Sequence, residues 1–109
     1  MLNSVIVVDD EASIRTAVEQ WLSLSGFSVQ LFARAEECLA QLPQHFPGVV
    51  ISDVRMPGMD GLQLLERLQA QDPDLPVILL TGHGDVPMAV EAMRNGAYDF
   101  LEKPFTPQH

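Results

Sequence analysis

Apolar residues gather in four short runs, at residues 28–32 and, nearly unbroken, at 5–8, 49–52 and 77–81, with a weaker run at 98–102. Runs that stay apolar suit strands covered on both faces of a parallel sheet, whereas a strand with one wet face would alternate. Between the runs the spacing becomes helical. Ile14, Ala17, Val18, Trp21, Leu22 and Ser25 fall on one face of an amphipathic helix, with Gly26 as its stop. Ala35, Cys38, Leu39 and Leu42 predict a second helix ended by Pro43, and Leu62, Leu65 and Leu68 a third ended near Asp72 and Pro73. Residues 86–94 predict a fourth, capped by Asn95 and Gly96. Strands alternating with helices through right-handed crossovers predict the α/β class, with an open, doubly wound, five-stranded parallel sheet.

The length of 109 residues suits one domain, and 47% hydrophobic content argues against disorder. Six basic against fifteen acidic residues give a net charge of −9. That charge speaks against direct nucleic-acid binding, because phosphates need Lys and Arg to neutralise them. It favours a divalent cation or a basic partner. The lone Cys38 cannot form an internal disulfide, and it and Trp21 are expected in the core. His45 and His109 lack ligand-spaced partners, so no zinc site is predicted. The chain start has no basic segment and its first apolar run stops on aspartates, so neither a signal peptide nor a membrane span is expected. A cytoplasmic location is the expectation. Thr106 and Pro107 announce a helix that only Gln108 and His109 follow. The chain is therefore expected to be the N-terminal fragment of a longer protein, with a fifth helix largely absent.

Ligand sites in open α/β sheets lie beyond the carboxyl ends of the strands. Those ends carry Asp9, Asp10 and Glu11 on the first strand, Asp53 on the third, Thr81 on the fourth, and Glu102 and Lys103 on the fifth. Two carboxylates about 4 Å apart repel by about 4 kcal/mol at an effective dielectric near 20. Lys103 offsets only one such charge. A hard cation that prefers oxygen, Mg²⁺ above all, would offset the rest. Asp10 and Asp53 are the candidate direct ligands, joined by a backbone carbonyl from the loop after Asp53, assigned to Arg55.

These motifs are Asp9-Asp10-Glu11, Ser52-Asp53-Val-Arg-Met56-Pro57-Gly58-Met59-Asp60-Gly61, Leu80-Thr81-Gly82 and Glu102-Lys103-Pro104-Phe105. In this order the sequence resembles a two-component response-regulator receiver domain over essentially its whole length. The stretches from Thr81 to Val90 and from Gly96 to Phe100 are most similar to regulators of the sigma-54-dependent dicarboxylate-transport and nitrogen-regulation type. They are also similar to nitrogen-fixation regulators with a helix-turn-helix output. The resemblance implies a flavodoxin-like strand order of 2-1-3-4-5 and a receiver domain spanning residues 1–109. It implies that Asp53 accepts a phosphoryl group from a sensor histidine kinase and that Mg²⁺ sits on Asp10 and Asp53, with Asp9 acting through water. Lys103, Thr81 and the backbone of Gly82 would coordinate the phosphoryl group. Thr81 and Phe100 would form the switch, and Lys103-Pro104 a cis peptide bond. His83 would lie near the phosphoryl group or simply in a solvated loop.

The fourth helix carries apolar residues nearly all round: Val86, Met88, Ala89, Val90, Ala92 and Met93. Such a helix is buried or faces a partner. A homodimer or output surface formed by this helix and the fifth strand is the expectation, with the effector domain outside the chain. The chain is not expected to be an enzyme beyond promoting its own phosphorylation and dephosphorylation. Two other readings compete. A haloacid-dehalogenase-like phosphatase would also use an aspartyl phosphate and Mg²⁺, although its nucleophile lies in an Asp-x-Asp motif after the first strand. A pseudo-receiver would never bind phosphate, which the complete set of Asp9, Asp10, Asp53, Thr81 and Lys103 argues against.

Overall fold

A computed structural model describes residues 3–82 and 85–103. Five strands and four helices alternate among these residues: β1 (Ser4–Val8), α1 (Ala12–Leu24), β2 (Ser28–Phe32), α2 (Ala35–Gln41), β3 (Gly48–Asp53), α3 (Gly61–Gln71), β4 (Val77–Thr81), α4 (Val86–Arg94) and β5 (Asp99–Glu102). All strand pairs are parallel, in the order β2-β1-β3-β4-β5. The fold class and strand order are thus those expected. Pro104, His83 and the segment expected to begin a fifth helix lie outside the described residues.

The central strands β1, β3 and β4 are apolar along most of their length because each face of the sheet is covered. Ile6, Val8, Val50, Val77 and Leu79 point into a core shared with Cys38 of α2, Leu64, Leu65 and Leu68 of α3 and Ala92 of α4. Their neighbours Val5, Val7, Ile51 and Leu80 face the other way, onto Val18 and Leu22 of α1. The two-residue alternation of strand side chains therefore feeds two cores. Cys38 is fully buried, and burial pushes its thiol up to about 11, so it packs as a small inert apolar group. Trp21 is only partly buried against the α1 core, less than its expected place there.

The edge strands depart from the two-faced pattern. β2 and β5 are largely exposed or half-buried because each has a neighbour on one side only. α1 ends as its sequence announces: Gly26 takes a φ of 90°, which a side chain would resist, and Phe27 N–H turns back to the Leu22 carbonyl at 3.0 Å. α4 is also less uniform than its composition predicts. Ala89 and Ala92 are buried, whereas Val90 and Met93 are 45% and 40% exposed, so one stripe packs and the other faces outward.

Candidate functional site

The carboxyl ends of β1, β3 and β4 bring the acidic residues together. The backbone of Asp9 continues β1, its N–H donating to the Phe32 carbonyl at 3.1 Å. Its side-chain Oδ1 accepts from the Glu11 N–H at 2.9 Å, which makes the sharp turn into α1. The Arg15 guanidinium, one turn into that helix, donates to the Asp9 carbonyl at 2.7 Å. Asp53 is the last residue of β3. The start of α3 presses against it: the Gly61 N–H donates to the Val54 carbonyl at 2.8 Å, and a methyl group at Gly61 would stand 2.3 Å from the Asp53 carbonyl. Only a glycine allows that approach. Asp60 and Gln63 then close a reciprocal capping box, which fixes where α3 begins.

Lys103 is set by the sheet. Its N–H donates to the Thr81 carbonyl at 2.8 Å, carrying the β4–β5 pairing one residue past β5. From there its ammonium lies 3.2 Å from Asp53 Oδ2, 3.1 Å from Asp9 Oδ2 and 3.4 Å from Glu11 Oε1. Asp9 Oδ2 is buried, with the Lys103 ammonium as its charged partner. The Thr81 hydroxyl is buried and has no hydrogen-bond partner among the described residues. A buried polar group left unpaired costs about 1–3 kcal/mol, so this hydroxyl is poised for a ligand.

Electrostatics follow from burial. Desolvation, with the Asp9 charge beside it, outweighs Lys103 and pushes Asp53 up to about 6. Burial also raises Asp9 above the usual carboxylate range, against the pull of the Glu11 N–H and of Lys103. Lys103 loses by desolvation but gains more from Asp9 and Asp53, which leaves it above its ordinary value and fully charged at neutral pH.

Asp9, Asp10 and Asp53 each offer a carboxylate oxygen within 4.8 Å of the others, Asp10 from an exposed position. This donor set fits Mg²⁺: it is all oxygen, and it carries more charge than Lys103 balances. The residues singled out from the sequence, Asp9, Asp10, Asp53, Thr81 and Lys103, therefore meet on one rim. Gly82 follows Thr81 directly. Phe100 is half-buried on β5, beside Leu79 of β4, and packs against the larger core.

Other contacts of the rim were not visible in the sequence. Glu11 joins the Lys103 cluster across 92 residues, although its place after two aspartates was a signal. Glu36 accepts from the Met59 N–H at 3.1 Å, tying α2 to the loop after Asp53. The Arg55 guanidinium forms an ion pair with Asp85, bridging the loops that follow β3 and β4. The sequence points to Arg55 only through its backbone carbonyl.

The sequence pattern of the response regulator receiver domain matches residues 5–109. The C4-dicarboxylate transport transcriptional regulatory protein DctD of Rhizobium meliloti is 59% identical over 94% of this chain. The transcriptional regulatory protein FixJ of Bradyrhizobium diazoefficiens is 52% identical over 93% of it. The chain spans 22% of the former and 49% of the latter. A crystal structure of a response regulator receiver domain protein from Clostridium thermocellum superimposes with a TM-score of 0.92 at 35% identity, covering 98% of this chain and 86% of that one. No helix among the described residues is long and apolar enough to cross a membrane.

Proposed function

Because the chain belongs to the response regulator receiver domain family, we propose that it is a phosphorylation-dependent switch whose Asp53 accepts a phosphoryl group from a sensor histidine kinase. The observation that carries this reading is the buried Asp53 carboxylate with the Lys103 ammonium 3.2 Å away and the unpartnered Thr81 hydroxyl on the same rim. Phosphoryl transfer through a loose transition state asks chiefly for positioning and for neutralisation of the outer oxygens. Lys103 neutralises one oxygen, the Thr81 hydroxyl donates to a second and the Gly82 N–H to a third. Asp10 and Asp53, with the Arg55 carbonyl and with Asp9 through water, would hold Mg²⁺. The ion, when bound, adds positive charge to the transferring group.

The same residues relay the change. As the Thr81 hydroxyl turns toward the phosphoryl group it leaves space for the Phe100 ring, a two-state packing that a local charge can bias. The α4–β5 face then forms a homodimer or output surface. The effector lies outside this chain and is transcriptional, of the sigma-54-dependent type that the sequence resembles; a helix-turn-helix output is the runner-up. The domain works in the cytoplasm, binds no nucleic acid directly and turns over no separate substrate.

Incubation with acetyl phosphate and Mg²⁺, followed by intact-mass measurement, tests the reading. One phosphoryl group is expected on the wild-type chain, absent in Asp53→Asn and after chelation. A mass gain that survives Asp53→Asn would overturn the assignment. Turnover of a phosphate monoester that is lost in Asp9→Asn but kept in Asp53→Asn would instead point to a hydrolase.

A further inference from the structure

The Arg55–Asp85 pair joins the loop that follows Asp53 to the loop that follows Thr81. Arg55 stands two residues after Asp53, and its backbone N–H is among the groups that pull the Asp53 carboxyl down. Its side chain is two-thirds exposed and therefore free to reorient, whereas that of Asp85 is 13% exposed. Asp85 N–H donates to the Gly82 carbonyl at 3.1 Å. Its Oδ2 would lie 3.4 Å from a methyl group at Gly82, so a carboxylate hangs beside the residue expected to donate to the phosphoryl group. Asp85 also occupies the N-cap position of α4, yet its side chain makes no capping hydrogen bond. Its carboxylate is thus spent on Arg55 and not on the helix.

We propose that Arg55 is a further phosphoryl ligand, held in reserve by Asp85, and that phosphorylation moves its guanidinium from Asp85 to the phosphoryl oxygens. The inference rests on Asp53 being the phosphoryl acceptor. A phosphoryl group brings about −1.5 to −2 charges and three acceptor oxygens, against the single charge of Asp85. Guanidinium suits paired contacts to such oxygens. Asp60 also acts on Arg55 by charge, but it is held in the α3 capping box and stays as it is in both states. The exchange costs one partly exposed ion pair and removes the tie between the two loops, which leaves α4 free to shift.

The affinity of the 109-residue chain for beryllium fluoride with Mg²⁺, read by fluorine NMR and calorimetry, tests the exchange. Asp85→Asn removes the competitor and is expected to tighten binding by about three- to five-fold, in the range of exposed ion pairs. Arg55→Gln is expected to weaken binding by a similar factor, and the double variant to match Arg55→Gln, because the Asp85 effect acts only through Arg55. The Arg55 Nε resonance should shift on complex formation in the wild type. A merely structural pair would make Asp85→Asn weaken binding or leave it unchanged, and either result overturns the proposal. Tightening that persists in the Arg55→Gln background overturns it as well. If the wild type forms no complex at all, the switch reading itself falls, and the exchange with it.

Discussion

Asp53 titrates near pH 6 because burial and the Asp9 charge together outweigh the pull of Lys103. Its unfolded value is 3.8, so between the two values the folded chain holds a proton that the unfolded chain has already lost. Stability from this group is therefore full below about pH 4, falls as pH rises to about 6, and is level above that. The change is on the order of 3 kcal/mol, about 1.4 kcal/mol for each of roughly two units. Asp53→Asn removes the penalty. In chelator, the variant should match the wild type near pH 4 and exceed it by up to about 3 kcal/mol at pH 7.5, measured by urea unfolding. A difference that stays flat across that range would show that Asp53 ionises freely. The strain is the same feature that suits the residue to its proposed role, since a carboxylate short of solvent gains from every cation brought to it.

At the scale of elements, the join between β3 and α3 decides where Asp53 points. Gly61→Ala would press a methyl group to 2.3 Å from the Asp53 carbonyl and is expected to cost about 2–3 kcal/mol. Asp60→Ala opens the capping box and should cost about 1 kcal/mol. Urea unfolding of the two variants separates steric clash from lost capping. The α4–β5 face carries Val90, Met93, Tyr98 and Leu101 exposed. If it forms the proposed dimer, Val90→Glu should weaken phosphorylation-dependent association at least ten-fold by light scattering, with folding unchanged. The elements themselves were legible because buried parallel strands leave unbroken apolar runs and the helices keep their period. β2 and β5 showed more broken runs, since an edge strand need not be apolar at every position, and the outward stripe of α4 could not be told from a buried one by composition. The site was legible to the degree that its members end strands. Arg55–Asp85 and Glu36–Met59 were not, because a contact between loops depends on how far each loop leans over the sheet, and no periodicity encodes that.

For the whole molecule, the net charge of −9 has a local consequence that can be measured. Three carboxylates share one rim, with Lys103 as the counter-charge that reaches Asp9 and Asp53. A cation held there binds the folded chain and not the unfolded one, because Asp9, Asp10 and Asp53 come together only through the sheet. Such binding stabilises by about 2.7 kcal/mol when Mg²⁺ stands at one hundred times its dissociation constant. Urea unfolding at pH 7.5 should show this gain in the wild type and lose most of it in Asp10→Asn, whose exposed position makes a packing effect small. The gain should also shrink below about pH 6, where Asp53 holds a proton that the cation must displace. Sodium at matched ionic strength gives the contrast, since diffuse screening of fifteen acidic residues would act without regard to Asp10. Equal stabilisation by both salts, or a Mg²⁺ gain that survives Asp10→Asn, would mean that the surplus charge is spread over the surface and that the rim holds no dedicated ion.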